Sequence, residues 1–221
     1  MNSENRRPLK ARSWAIMQNA ASWLDDRNVT PNQISIASIG FSALAAVFLI
    51  LISIAFGGFL WACVIMVLLC LSARGFCNIL DGLVAVEGGK ATPSGEMFND
   101  IPDRISDAVI FIGAGYGAGV PALGWLAALL SVMTAYVRTL GRGLGAPSDF
   151  SGPMAKLHRM LILAAACGLT LFDAGLGGKG FILSVALLIV SAGCGFTIWK
   201  RAKATYDYLE GQSAKNGAPD A

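Results

Sequence analysis

Residues 78–107 read NILDGLVAVEGGKATPSGEMFNDIPDRISD, and this stretch decides what kind of fold the chain can have. Asp81, Asp100, Asp103 and Asp107 recur here at helical spacing with Asn78, Asn99 and Glu96, inside a chain that is otherwise mostly apolar. An ionisable side chain at membrane depth costs at least about 2.5–3.5 kcal/mol at a helix centre. Several on neighbouring turns are untenable unless a cation, a substrate or water shares them. Asn78 and Asp81 are three apart and share a helix face, while Asn99, Asp103 and Asp107 are spaced by four. Asp100 stands about 100° round an ideal helix from Asn99. Between the two groups, Gly88-Gly89-Lys90-Ala91-Thr92-Pro93-Ser94-Gly95 is a turn-rich break. Two antiparallel helices therefore direct oxygen donors toward each other across a short loop. Oxygen donors alone suit Mg²⁺, Mn²⁺ or Ca²⁺ rather than zinc or copper. The same side chains could serve as caps and interhelical hydrogen bonds, but apolar helices do not need so many carboxylates for that.

The rest of the chain sets the surroundings. Its 221 residues are 55% hydrophobic and 14% charged, with a mean hydropathy of +0.60. Soluble domains carry about 25% charged residues, so the composition excludes an ordinary soluble fold and suits one polytopic membrane domain. Six stretches are apolar and long enough to span, at about 20 residues each: 33–56, 58–86, 96–118, 120–142, 156–175 and 180–200. The expected fold is thus all-α, with six transmembrane helices. Glycines at 113, 115, 117, 119, 141, 143 and 145 fall where helices end or approach closely. Cys63, Cys70 and Cys77 recur every seven residues on one helix face, and with Cys167 and Cys194 they read as buried packing thiols, not disulfides or metal ligands. No secretory signal peptide is expected, because the N-terminus is polar and basic through Trp14.

Lys and Arg placement orients the chain. With a cytoplasmic N-terminus, the inner side collects Arg6, Arg7, Lys10, Arg12, Arg27, Lys90, Arg142, Lys156, Arg159, Lys200, Arg201, Lys203 and Lys215, and the outer side keeps Lys179. Both termini and the acidic segment then lie at the cytoplasmic face of the inner (cell) membrane. Residues 8–27 read as an interfacial amphipathic helix, with Ile16, Met17, Ala20, Ala21, Trp23 and Leu24 on its apolar side. Thr30-Pro31-Asn32-Gln33 is a helix start: Thr30 caps, Pro31 suits the first turn and Gln33 completes a capping box. The expected division is a basic segment and interfacial helix over 1–30, the six-helix domain over 31–200 and a cytoplasmic tail over 201–221. Lys200 to Gly211 should continue as a charged helix, with the final ten residues disordered.

The acidic segment resembles the signature of the CDP-alcohol phosphotransferases (CDP-alcohol phosphatidyltransferases), D-x2-D-G-x2-A-R-x8-G-x3-D-x3-D. This chain reads Asn78-x2-Asp81-Gly82-x2-Ala85-Val86-x8-Gly95-x3-Asn99-x3-Asp103, matching the spacing at all eight fixed positions and the residue at five. Asn78 and Asn99 replace the first and third aspartates, and Val86 replaces the arginine. The resemblance covers roughly residues 8–200. It implies that Asp81, Asp103, Asn78 and Asn99 hold divalent metal, Mg²⁺ or Mn²⁺, at a donor pyrophosphate, with Asp103 also the catalytic base. Asp100 is a further candidate ligand. Gly82, Ala85 and Gly95 would line the nucleotide site, and Lys90 could reach toward the phosphates that the missing arginine leaves. Two formal negative charges are lost to asparagine, so metal binding should be weaker than in a four-aspartate relative.

A second cluster, Arg138 with Lys156, His158 and Arg159, looks like the basic patch the family uses near its acceptor pocket. Lys156 and Arg159 open a helix whose amide end also favours anions, so they either touch a substrate phosphate or anchor lipid headgroups. Arg138 sits within a span and either meets phosphate or pairs with an aspartate of the acidic segment. His158 is the single histidine, better suited to a structural or phosphate contact than to catalysis. The resemblance implies a phosphatidyl transfer from a CDP-linked donor, most simply CDP-diacylglycerol, to a small alcohol acceptor with release of CMP. It also implies a homodimer among membrane lipids; no nucleic acid partner is expected. Two rival classes are a non-catalytic CDP-lipid binder and a cation-coupled transporter. The sequence does not identify the acceptor.

Overall fold

The computed structural model describes residues 15–87, 95–175, 178 and 180–216. All regular structure among the described residues is helical: α1 (Ala15–Asp26), α2 (Pro31–Ile52), α3 (Gly57–Glu87), α4 (Gly95–Gly117), α5 (Pro121–Gly143), α6 (Lys156–Leu169) continued by a 3-10 turn (Thr170–Gly175), and α7 (Phe181–Asn216). The start of α2 forms as its sequence dictates. Thr30 Oγ1 accepts from the Gln33 amide at 3.3 Å, and Gln33 Oε1 accepts from the Thr30 amide at 2.9 Å.

Among the described residues, four helices are long and apolar enough to cross a membrane: Pro31–Ile52, Gly57–Ala85, Pro121–Gly143 and Phe181–Gln212. Six were expected, and the other two fall short for opposite reasons. α4 has 23 residues but carries Asp100, Asp103, Arg104 and Asp107. α6 is apolar but has only 14 residues, about 21 Å of helix against a hydrocarbon core of about 30 Å. The charged helix is nevertheless an inner one, packed along α2 on one side and α5 on the other and touching α7. That position buries Asp103 and Asp107 among other helices, while Asp100 stays 39% exposed.

Close approach is secured by residues without side chains. A Cβ added at Gly113 would lie 2.7 Å from the Ala46 Cα, and one at Gly115 would lie 2.6 Å from the Gly124 Cα. Ala45, Leu49, Cys63, Val67, Ile110, Phe111, Ala114, Leu163, Cys167, Leu183 and Leu187 fill the apolar part of the bundle. The five cysteines are buried and unpaired with one another, as expected. A smaller apolar cluster docks α1 on α3 through Met17, Ala21, Cys77, Leu83 and Val84, reached also by Ile34. The expected apolar side of α1 is therefore divided: Met17 and Ala21 face the protein, while Ile16 and Trp23 face outward, with the Arg27 guanidinium 3.6 Å above the Trp23 ring. The first part of the expected interfacial helix, residues 8–14, lies outside the described residues, as does Lys90. α7 runs on to Asn216, five residues past the Gly211 at which the charged helix was expected to stop. Gly211 lies inside this helix and does not end it.

Candidate active site

Buried polar side chains collect toward one end of the bundle, from the C-terminal half of α3, the N-terminal half of α4 and the facing turns of α2, α5, α6 and α7. They form two levels, because Arg74 lies one turn before Asn78 on α3 and Asp107 one turn after Asp103 on α4.

The first level joins Asp81, Asp103, Asn78 and Lys156. Asp81 is 4% exposed; Ser35 Oγ donates to its Oδ2 at 2.8 Å and the Gly82 amide to its Oδ1 at 2.6 Å. The Ser35 bond ties the carboxylate to α2 and the Gly82 bond ties it to its own helix. Asp103, 8% exposed, comes from α4; its charge repels that of Asp81 while the Lys156 charge attracts both. The Lys156 ammonium, on the first turn of α6, contacts Asp103 Oδ2 and Asn78 Oδ1 together. Asn78 is turned so that its oxygen faces this ammonium, because its Nδ2 donates to the Arg74 carbonyl at 3.1 Å. Asn78 of α3 and Asp103 of α4 thus face the same ammonium, while Asp81 bonds Ser35 of α2.

Asp100 turns elsewhere. Its Oδ1 lies 3.2 Å from Arg138 Nη2 and 3.6 Å from Arg104 Nη2. Arg104 also approaches Asp103 Oδ2 at 3.7 Å. Arg138 is thus paired with the acidic segment in this structure, its guanidinium also standing 5.3 Å from the Phe150 ring centroid. Asn99 is half-buried one turn before Asp103, Gly82 is buried, Ala85 and Gly95 are half-buried, and the side chain of Glu96 lies outside what is described. His158 is exposed, its Nδ1 donating to the Pro153 carbonyl at 2.9 Å.

The second level is closed. Asp107 is fully buried between Arg74, which binds its Oδ1, and Arg159, whose Nη2 binds its Oδ2 at 2.7 Å. Arg159 Nη1 donates to Thr134 Oγ1 at 3.0 Å and to the Met154 carbonyl at 3.1 Å. Arg201 completes this region from α7, donating to the Thr134 carbonyl at 2.7 Å and the Ser151 carbonyl at 3.0 Å. Arg159 is expected from the sequence either beside a substrate phosphate or against lipid headgroups, and it binds Asp107, Thr134 and Met154 instead. It is 2% exposed and committed to Asp107, because a guanidinium this deep needs a carboxylate partner. Asp107, read as one more oxygen donor of the open site, is that partner. Arg74, Ser35 and Thr134 escaped the sequence reading. Arg74 left a signal, an arginine inside an apolar run one turn from Asn78; the two hydroxyls left none.

The donor set bears on a metal. Among the described residues no three His, Cys, Asp or Glu side chains gather to hold an ion, since amides occupy two of the four motif positions. Asp81, Asp103 and the Asn78 oxygen still form an all-oxygen set, and the Lys156 ammonium between Asn78 and Asp103 is itself a cation held there. The residues fit a hard divalent ion.

Known proteins are similar to this chain in sequence and fold. The family model described as CDP-alcohol phosphatidyltransferase matches residues 28–199. The chain is 25% identical to the phosphatidylinositol phosphate synthase of Streptomyces avermitilis over 190 residues, covering 82% of this chain and 74% of the relative. It is 30% identical to the archaetidylinositol phosphate synthase of Methanothermobacter thermautotrophicus over 141 residues, 60% of this chain and 69% of the relative. Its fold is similar to that of the Mycobacterium tuberculosis phosphatidylinositol phosphate synthase, solved with CDP-DAG bound, at a TM-score of 0.70 and 22% identity over 87% of this chain and 94% of the other. The same enzyme solved with manganese and citrate gives a TM-score of 0.68 at 21% identity, over 86% and 88% of the two chains.

Proposed function

Since the chain belongs to the CDP-alcohol phosphatidyltransferase family and is an integral membrane protein, we propose that it moves a phosphatidyl group from CDP-diacylglycerol to an alcohol and releases CMP. The observation that carries the reading is a cation, the Lys156 ammonium, shared by Asn78 of α3 and Asp103 of α4, with buried Asp81 one turn from Asn78. The manganese and CDP-DAG complexes of the fold relative support the same chemistry.

In this reading Asp81, Asp103 and Asn78 hold a Mg²⁺ or Mn²⁺ ion, which when bound supplies Lewis-acid polarisation and neutralises the pyrophosphate. Asn99 is placed by the motif to add an amide oxygen. Asp103 takes the proton from the acceptor hydroxyl. The alkoxide oxygen forms its bond to the lipid-side phosphorus as the bond from that phosphorus to CMP breaks, and CMP leaves with the electron pair. Ser35 and Gly82 hold Asp81 in orientation, while Lys156 and Arg138 line the basic side where an acceptor phosphate would be recognised. Arg159 supports this side from beneath through Asp107. Gly82, Ala85 and Gly95 leave room for the nucleotide, and Lys90 is the remaining candidate for its phosphates.

All six helices from α2 to α7 cross the bilayer in this reading, α4 with its charges turned inward and α6 completed by the 3-10 turn. The positive-inside distribution supports a cytoplasmic site and cytoplasmic termini, with α1 in the headgroup plane. The rows of outward Leu, Ile and Phe side chains suit acyl chains and a second copy of the protein alike. Purified protein given CDP-diacylglycerol, Mg²⁺ or Mn²⁺ and a panel of alcohols should release CMP and form one new phospholipid by mass spectrometry. Asp103→Asn should lower CMP release by at least about a hundredfold, the scale of lost general-base catalysis. Absence of CMP with every alcohol, from folded protein, favours the non-catalytic binder.

A further inference from the structure

We propose that Lys156 is a tethered counter-cation of the active site, which a divalent ion must displace in order to bind. The inference rests on the phosphatidyltransferase reading and adds a residue that sets how tightly this particular site takes its metal.

Charge is the starting point. The motif of the family places four carboxylates here, and this chain keeps two, Asp81 and Asp103, both nearly without exposure. Two buried carboxylates that repel each other need a positive neighbour. Lys156 meets that need from α6, touching Asp103 Oδ2 and Asn78 Oδ1 at once and attracting Asp81 as well. These contacts bridge α3, α4 and α6. The atoms it touches are the atoms a metal would use, so ammonium and ion exclude each other at those oxygens.

The lysine is also able to leave. It lies at the very start of α6, its N-cap Ala155 offers no side-chain bond, and its side chain is 27% exposed. Its flexible four-carbon stem has the rotatable bonds such a withdrawal needs. By contrast Arg159, one turn on, is held by Asp107, Thr134 and Met154 and stays. Because only molecules with Lys156 withdrawn are competent to bind the ion, apparent affinity falls by the fraction that is withdrawn. A diphosphate ligand, bringing anionic oxygens that draw both the ammonium and the metal, would therefore bind cooperatively with the ion.

The test is Mn²⁺ binding to full-length protein in detergent without any substrate, followed by the EPR signal of free Mn²⁺. Lys156→Gln and Lys156→Met should each bind Mn²⁺ at least about tenfold more tightly than the unaltered protein, as removal of a competing state predicts. Lys156→Arg keeps the charge and should stay near the unaltered affinity. Unchanged or weaker binding in both neutral variants, or tightening in Lys156→Arg to the same degree, overturns the proposal. CMP release by the unaltered protein is scored separately: tighter Mn²⁺ binding without CMP would sink the enzymatic reading alone, and CMP without tightening would sink this one alone.

Discussion

Asp107 has no exposed surface and stands between two guanidiniums, so the second level carries a net positive charge inside the bundle. Removing one partner of such a buried set leaves the others uncompensated, at a cost of about 3–5 kcal/mol. Asp107→Asn should accordingly lower the thermal unfolding midpoint in detergent far more than Asp100→Asn, whose side chain is 39% exposed. One turn away the logic changes from stability to affinity. Asn78 and Asn99 are neutral where the motif is acidic, and hard cations respond to ligand charge. Asn78→Asp combined with Asn99→Asp should tighten Mn²⁺ binding by about tenfold or more, read by the same titration; equal affinity would show that the asparagines cost nothing. Much of this level was legible in the sequence. Asn78, Asp81 and Asp103 share a face because i, i+3 and i+4 positions do on any helix. The partners were not, since Ser35 lies 46 residues from Asp81 and Lys156 lies 78 from Asn78.

At the scale of elements, α2 and α4 are held by backbone proximity. Gly113 leaves no space for a Cβ against Ala46, whereas Gly40 on α2 has nothing within 4 Å of the corresponding position. Overpacking typically costs about 1–3 kcal/mol, while Ala is favoured over Gly in a helix by about 1 kcal/mol. Gly113→Ala should therefore destabilise the protein and lower CMP release, by separating α4 and its Asp103 from α2 and Ser35. Gly40→Ala should leave both unchanged or slightly raise stability, measured by thermal unfolding. α4 also shows why length and hydropathy alone pick out four spans where six are proposed. Its 23 residues suffice, but its charges disqualify it as an independent span. Only its neighbours, α2, α5 and α7, make the position tolerable.

For the whole molecule, the separation of an apolar part from a charged end gives the fold a polarity. The proposed orientation puts that end in the cytoplasm, and it can be checked with the protein's own chemistry. All five cysteines are buried, so a membrane-impermeant maleimide should find little background. His158→Cys introduces a thiol at an exposed position beside the site. It should react in inside-out membrane vesicles and resist in right-side-out ones; the reverse result would invert the topology. A site at one end of the bundle also sits badly with a cation-coupled transporter, whose ion site lies near the midplane.

The sequence by itself determined the membrane character, the helix start at Thr30, the burial of the cysteines and the family signature, because each depends on composition or on spacing within one helix. Tertiary structure alone decided that Arg159 serves Asp107 instead of facing outward, that Asp100 goes to Arg138, and that Lys156 reaches between Asn78 and Asp103. Those pairings join residues far apart in the chain, and charge seeks its partner through space: burial fixes how badly one is needed, and helix packing fixes which one is near.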